Sequence, residues 1–378
     1  MKRVMIIAGE ASGDLHAAKL VKAVKADRPD IAFYGIGGDD MRTAGVEVMV
    51  DAAELAVVGL VEIWAHRKII FAALNKMRQE LQDNPPDLLV LVDYPEFNLR
   101  LAKAAKQHGV KVLYYISPQV WAWRQYRVHK IRQRVDMMAV VFPFEETFYQ
   151  QYQVPVEFVG HPLVDEVRPS TDRDSLRTQF KLDSKQPVVG LFPGSRRSEI
   201  RRLLAIILQS AECLKQKYPG AQFLLPLAPG LKHTDIQPYL QQHPELNIQV
   251  MENRAYDVMA ACDVIITVSG TVTLEIALVG TPFLIINKVA WLTYLIVHRM
   301  LKIEHIGLCN IVAGKRIAPE LIQYDATPAK ICQTIARLID EPDRRENMRT
   351  ELGRIENLLG KKGGIENAAR LVIGMLED

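Results

Sequence analysis

A series of short, apolar runs alternating with amphipathic stretches constrains this chain more than any other feature. The first half carries RVMIIA, IAFYGI, DLLVLVDYP, VKVLYYISP and MMAVVFP; the second carries PVVGLFPG, AQFLLPLAP, NIQVM, DVIITVSG and TPFLII. Strands buried on both faces read as continuous aliphatic runs, and strands that alternate with helices pair in parallel. The pattern therefore predicts an α/β protein with parallel sheets. Between the halves, VEFVGHPLVDEVRPSTDRDS replaces the periodicity with Pro, Ser and alternating charge, so a linker is expected near 165 to 185. At 378 residues the chain exceeds one ordinary core. Two α/β domains follow, 1–168 and 169–340, with a charged, helical, strand-free segment 341–378 that packs back across the domains or against a partner subunit.

In open parallel sheets ligands sit at the carboxyl ends of the strands, so the motifs that follow strands are the functional candidates. GEASGDLH, from Gly9 to His16, allows close backbone approach at a helix start but lacks the GxGxxG spacing of a dinucleotide site, as does GIGGDD at Gly35. Each reads equally as a capped strand-to-helix turn, and the Asp39–Asp40 pair reads as a helix start. In VDYPEFN, Asp93 follows five aliphatics; it is either a base facing a cleft or the former of an Asp-x-Pro turn. SPQVWAWRQYRVHKIRQR interleaves Trp121 and Trp123 with Arg124, Arg127, Lys130, Arg132 and Arg134. Such a segment suits a nucleic acid or a phosphorylated lipid, or is a solvated helix face with both tryptophans in the core.

FPGSRRSEIRR follows the first strand of the second half. There Arg196, beside Gly194 and Ser195, suits a diphosphate, because a guanidinium forks onto two oxygens while amide N–H groups take the others. A salt bridge from Arg196 to Glu199 is the alternative. SGTVTLEIALVGTPFLI places one carboxylate, Glu275, on an otherwise apolar helix after a loop without bulk. Either Ser269 or Thr271 caps the helix and Glu275 merely favours its positive end, or the helix start holds a phosphate and Glu275 reaches a sugar hydroxyl.

Net charge is +3, from 47 basic and 44 acidic residues, too small to argue for a nucleic-acid partner. The cysteines at 213, 262, 309 and 332 show no CxxC or zinc spacing, so neither a disulfide framework nor a metal site is expected, and a reducing cytoplasm fits. No signal peptide is indicated at MKRVMIIAGEASGD, and VAWLTYLIV is far shorter than the roughly 20 residues that span a bilayer.

Taken together, GEASGD, SPQVWAWR, FVGHP, FPGSR, SGTVTLE and NIVAG, spread in that order from Gly9 to Gly314, resemble the lipid-A-disaccharide synthase family. The resemblance implies a GT-B-type fold of two facing Rossmann-like domains, the first facing acceptor and membrane and the second binding a UDP-sugar. It implies inverting, metal-independent transfer of 2,3-diacylglucosamine from its UDP conjugate to 2,3-diacylglucosamine 1-phosphate, forming a β-1,6 disaccharide phosphate and UDP, with no cofactor. On this reading Asp93 is the general base, with Glu10 and Asp14 in reserve. Gly194, Ser195, Arg196, Gly270, Thr271, Glu275 and Asn310 hold the donor; Ser12, Gly13, Trp123 and Arg124 meet the acceptor. Two positions depart from the family pattern: Cys309 stands where proline is expected, and Asn287 where an aromatic usually precedes a basic residue.

The implied substrates carry acyl chains, and GLVEIWAHRKIIFAALNKMRQEL, from Gly59 to Leu81, places Leu60, Ile63, Trp64, Ile70, Phe71, Leu74, Met77 and Leu81 near one helical face. That stripe is either core or a rim meeting the membrane, with Ile63, Trp64, Ile70 and Phe71 as the candidate contacts. A cytoplasmic protein, peripheral on the inner face of the inner membrane, and a possible homodimer are the corresponding expectations. The rivals are a sugar-nucleotide 2-epimerase on the same frame, and a carrier that binds lipid or nucleotide without releasing UDP.

Overall fold

The computed structural model describes residues 2–55, 60–289 and 304–377, and no side chain between 56 and 67 is among those described. The chain divides into two units, Met1–Pro162 with Leu359–Asp378, and Leu163–Leu358.

The first unit holds a seven-stranded sheet: β1 (Arg3–Ala8), β2 (Ala32–Gly37), β3 (Glu47–Asp51), β4 (Leu88–Val92), β5 (Lys111–Tyr115), β6 (Met137–Val140) and β7 (Val156–Phe158). Their order is β3-β2-β1-β4-β5-β6-β7, all pairs parallel. The second holds β8 (Val188–Phe192), β9 (Gln222–Leu227), β10 (Gln249–Glu252), β11 (Val264–Val268), β12 (Phe283–Asn287) and β13 (Glu320–Ile322). These run β10-β9-β8-β11-β12-β13, again parallel throughout.

The apolar runs become the inner strands because helices cover both faces: all of Leu88–Val92, Val188–Phe192 and Val264–Val268 is buried. The helices earn their places by periodicity. Arg197–Lys217 buries Ile200, Leu203, Leu204, Ile207, Leu208, Ala211 and Leu214, the i, i+3, i+4 stripe of one face. Each sheet reverses its winding once, between β1 and β4 and between β8 and β11. Register keeps the loops there level: Ala8 pairs with Val92 and Ile7 with Ile36, while Thr267 pairs with Phe192.

The segment after residue 340 serves both units. Pro342–Leu352 and Ile355–Leu358 belong to the second. The last helix, Gly364–Glu377, packs on Ala11–Asp27 in the first, where Arg28 pairs with Glu377 at 2.9 Å and Asn367 Nδ2 donates to the Val159 carbonyl at 2.8 Å. FVGHP lies at this junction. Gly160, at a φ of +96°, passes so close to the returning chain that a Cβ on Gly364 would stand 2.9 Å from its carbonyl oxygen. His161 is buried, and desolvation, with the charge of His16, pushes its imidazole down to about 3, so it packs as a neutral ring 5.1 Å from that of Phe142.

One expectation needs correction. Cys213 and Cys332 form a disulfide with a Cα–Cα distance of 6.0 Å, tying Arg197–Lys217 to Pro328–Asp340; 119 residues of sequence separate them, so no spacing motif announced the pair. Cys262 and Cys309 are free and buried. Among the described residues no helix is long and apolar enough to cross a membrane.

Candidate active site

The reversal points gather the motifs within each unit. In the first, Gly9–Glu10 leaves β1, Gly38 follows β2 and Asp93–Tyr94 leaves β4. Asp93 and Tyr94 both have left-handed backbone, each with φ of 46°, a conformation that costs a non-glycine residue roughly 1–2 kcal/mol. Donors converge to hold it. Asn98, fully buried on the first turns of Pro95–Gln107, donates from Nδ2 to the carbonyls of Val92 at 3.2 Å and Asp93 at 2.7 Å, and the Tyr114 hydroxyl donates to the same Asp93 carbonyl. Gly9 completes the fit, since a Cβ there would stand 2.4 Å from the Tyr94 ring.

The Asp93 carboxyl is pushed up to about 6, first by burial and then by the negative charge of Glu10; the Tyr94 amide opposes the shift only in part. Glu10 itself is exposed. Asp14, by contrast, is buried and accepts the backbone N–H groups of Gly38 at 2.6 Å, Asp40 at 3.1 Å and Met41 at 3.3 Å. It organises the start of Asp39–Thr43, and the Asp39–Asp40 pair is a helix start. Ser12 is exposed and Gly13 buried in the first turn of Ala11–Asp27.

The two tryptophans of SPQVWAWR part company. Trp121 is buried, and its indole N–H donates to Glu145 Oε1 at 3.0 Å. Burial pushes the Glu145 carboxyl up to about 8, and Phe142 N–H donates to its other oxygen at 3.2 Å. Trp123 is 40% exposed and lies under the Arg124 guanidinium at 4.3 Å.

In the second unit, Gly194–Arg196 leaves β8 and Ser269–Thr271 leaves β11. Gly194, at a φ of +110°, leaves room for Glu199, whose Oε2 would stand 2.2 Å from a Cβ there. That oxygen accepts the N–H groups of Ser195 at 2.9 Å and Arg196 at 3.2 Å, and Arg196 Nη1 meets Glu199 Oε1 at 3.3 Å. The salt bridge is therefore present, yet the Arg196 side chain stays 75% exposed. Two amides expected to meet a phosphate are thus engaged by this carboxylate.

The other loop is more open. Among the described residues, no acceptor takes the backbone N–H of Gly270, Thr271 or Val272, and Thr271 makes no side-chain cap at the start of Val272–Val279. Glu275 is half-buried, its carboxyl raised by desolvation, and Tyr256 donates to it at 3.3 Å. Asn310 is fully buried and fully committed: Nδ2 donates to the Ala318 carbonyl and Glu320, both at 2.8 Å, while Oδ1 accepts from Ile317 at 2.8 Å and Ala318 at 2.9 Å. Glu320 also accepts Ile306 and Gly307 N–H, and Ser269 Oγ donates to the Ile306 carbonyl at 2.8 Å. Asn310 and Glu320 thus brace the loop behind the open amides. Cys309 is buried beside them, and Asn287 ends β12, where its carbonyl accepts Gln323 N–H at 2.8 Å.

Of the stripe between 60 and 81, Leu74, Met77 and Leu81 are core and Ile70 packs on it half-buried, whereas Phe71 is 41% exposed under Arg100. Ile63 and Trp64 lie outside the described side chains. Among the described residues one group has metal-ligand character, Glu212, His243 and Glu245, with ligand atoms within 4.8 Å of one another. Glu212 sits fifteen residues along Arg197–Lys217, about 22 Å from the β8 loop that starts it. Its carboxylate is already paired with His243 Nδ1 at 2.6 Å.

A family model described as lipid-A-disaccharide synthetase matches residues 4–369. A lipid-A-disaccharide synthase from Geobacter metallireducens is 55% identical over 375 residues, 99% of this chain and 97% of that relative. Among solved structures, a UDP-GlcNAc 2-epimerase from Neisseria meningitidis bound to UDP-GlcNAc superposes with a TM-score of 0.64 at 15% identity, covering all of both chains. MurG from Acinetobacter baumannii gives 0.60 at 15% identity, covering 99% of this chain and all of that one. The structural likenesses establish the two-sheet, GT-B-type α/β fold and nothing finer. The match along the sequence goes further: the chain belongs to the lipid-A-disaccharide synthase family.

Proposed function

We propose that this enzyme transfers 2,3-diacylglucosamine from its UDP conjugate to the 6-hydroxyl of 2,3-diacylglucosamine 1-phosphate, with inversion and without a metal. The acceptor oxygen forms the new bond to the donor's anomeric carbon as the bond to UDP breaks. The proton of the 6-OH passes to Asp93, and the electron pair leaves on the diphosphate. The family match carries the transfer, and what supports Asp93 as its base is a turn held at the end of β4 by Asn98 and Tyr114, with burial pushing the carboxyl up to about 6, more basic than an exposed aspartate. Glu10 is the reserve base; Asp14, with three amides on its carboxylate, is the weaker reserve.

In the second unit, Arg196 and the N–H groups of Gly270 and Thr271 receive the charge that develops on UDP. Glu275 accepts from the ribose hydroxyls, and Gly194 and Ser195 shape the turn that presents Arg196. Asn310 contributes by holding its loop, since its own amide has no hydrogen-bonding capacity left. Ser12, Gly13, Trp123 and Arg124 belong to the acceptor side. We place the enzyme at the cytoplasmic surface of the inner membrane, with Phe71 and the adjoining Ile70, and with Ile63 and Trp64, as the docking residues. If Ile63→Ser with Phe71→Ser leaves vesicle binding unchanged in a folded protein, that docking role is excluded.

Incubation with both acylated sugars, followed by mass and linkage analysis, tests the reaction. A β-1,6 disaccharide phosphate with stoichiometric UDP is the expected product. Because an epimerase shares the fold, the same protein is incubated with UDP-N-acetylglucosamine, and a 2-epimer there without disaccharide from the acylated pair would overturn the proposal. Tight lipid or nucleotide binding with no UDP release would identify a carrier.

A further inference from the structure

We infer that Arg124 and Arg127, gathered around Glu96, bind the anomeric phosphate of the acceptor; this rests on the acceptor identity proposed above. Arg124 Nη1 lies 3.4 Å from Glu96 Oε1, and Arg127 Nη2 donates to the same oxygen. The exposures run opposite to those of a surface tie: the Arg127 side chain is 14% exposed, whereas the carboxylate it meets is 65% exposed. Two guanidiniums share one carboxylate, which leaves a net positive charge and most of their ten N–H donors unspent.

Arg124 is further constrained. Its backbone is left-handed, with φ of 56°, and its guanidinium is stacked on Trp123. A planar fork held by backbone, ring and carboxylate loses little freedom on meeting a phosphate, which is what makes arginine a bidentate phosphate ligand. A structural tie between Pro95–Gln107 and the segment 124–127 needs only one of these arginines.

Location supplies the ligand. Glu96 is three residues from Asp93, and the Tyr114 phenol, which donates to the Asp93 carbonyl, lies within electrostatic reach of both the Asp93 carboxylate and the Arg127 guanidinium. In the acceptor, the anomeric carbon and C5 flank the same ring oxygen, so the phosphate and the nucleophilic 6-hydroxymethyl group share one edge of the sugar. An anion clamp beside the base fits a substrate of that shape.

The test crosses protein variants with acceptor variants. Steady-state constants are measured for the native chain, Arg127→Ala, Arg127→Lys and Arg124→Ala, with 2,3-diacylglucosamine 1-phosphate and with the same sugar bearing a free anomeric hydroxyl. Arg127→Ala is expected to raise KM for the phosphorylated acceptor on the order of 10- to 100-fold, the effect of losing a charged hydrogen bond. KM for the donor stays put, and the penalty vanishes with the dephosphorylated acceptor. Arg127→Lys recovers part of the loss; Arg124→Ala, which removes a more exposed side chain, repeats the selectivity at smaller size.

An equal loss with both acceptors would make the arginines structural and overturn the inference. So would normal kinetics on a short-chain phosphorylated acceptor combined with lost binding to phosphatidylglycerol vesicles, which would reassign the clamp to a bilayer headgroup. If the native protein makes no disaccharide from either acceptor, the proposed reaction falls instead.

Discussion

The crevice between β1 and β4 and the crevice between β8 and β11 share a topology and oppose each other in chemistry. The first is built from strain: a desolvated carboxylate on two consecutive left-handed residues, with a second carboxylate, Glu10, acting on it. The second is built from openness: small residues, amides without acceptors among the described residues and an exposed guanidinium. Taking a proton requires a charge that is uncomfortable; holding an anion requires donors that are unspent. The parallel sheet sets only where the loops gather, and each loop then sets which of these two conditions applies.

The sharpest break of that comparison is Asp93→Asn. Turnover is expected to fall 10²- to 10⁴-fold, the contribution of a positioned base, with UDP affinity retained. The same change should make the protein more stable. Because burial raises this carboxyl above its ordinary 3.8, its favourable contribution is complete below 3.8 and disappears as pH rises through about 6. At pH 7.5 the neutral amide, which also tolerates left-handed backbone, is expected to gain on the order of 1–3 kcal/mol in urea melts. A folded Asp93→Asn protein with near-normal turnover would move the base to Glu10.

Arg196→Ala should do the reverse: cost about 2–4 kcal/mol in the transition state, read as kcat/KM, while changing stability by less than about 1 kcal/mol, since the Arg196 side chain is exposed and Glu199 keeps its two amide donors without it. Unchanged turnover with a lowered melting temperature would reduce Arg196 to a helix brace.

A smaller effect is expected from Asn98→Ala, which removes two bonds from the strained turn. We predict a loss in kcat of about tenfold, with the acid limb of the pH profile moving below 6 as Asp93 relaxes towards water. A fall in stability with an unmoved acid limb would show that Asn98 only supports the fold. Smallest in turnover is Asn310→Ala: leaving buried partners unpaired should cost roughly 2–4 kcal/mol of stability, with kcat per folded molecule nearly intact. A large kcat loss there, measured well below the melting temperature, would mean that the loop behind Gly270 acts in catalysis.

Legibility in the sequence followed burial. The inner strands are readable because both faces are covered and their residues are uniformly aliphatic; β3, β7 and β13 are not, because each is a short, half-exposed edge strand of three to five residues that carries a glutamate. At the sites, residue types and loops were legible, and Glu199 was named as a possible partner of Arg196. The engagement of Asp14 was not, because its amides lie 24 to 27 residues away and no local pattern encodes them. Asn98 and Asn310 left no signal either. Their work is to satisfy carbonyls and amides of turns that only the folded chain creates. Nor does a run of basic residues disclose that one carboxylate, Glu96, gathers two of them.

The last helix lies on the first, and this has a consequence for synthesis. Leu163–Leu358 is continuous and can complete its sheet while the remaining residues are still inside the ribosome; the unit containing residue 1 cannot close until its Leu359–Asp378 segment has emerged. The half of the enzyme translated first is therefore expected to finish last, leaving the apolar underside of Ala11–Asp27 uncovered for most of translation. A chaperone that patrols nascent chains would meet this protein at its beginning. Truncation before Gly364 should accordingly harm the amino-terminal sheet and spare the disulfide-tied unit downstream.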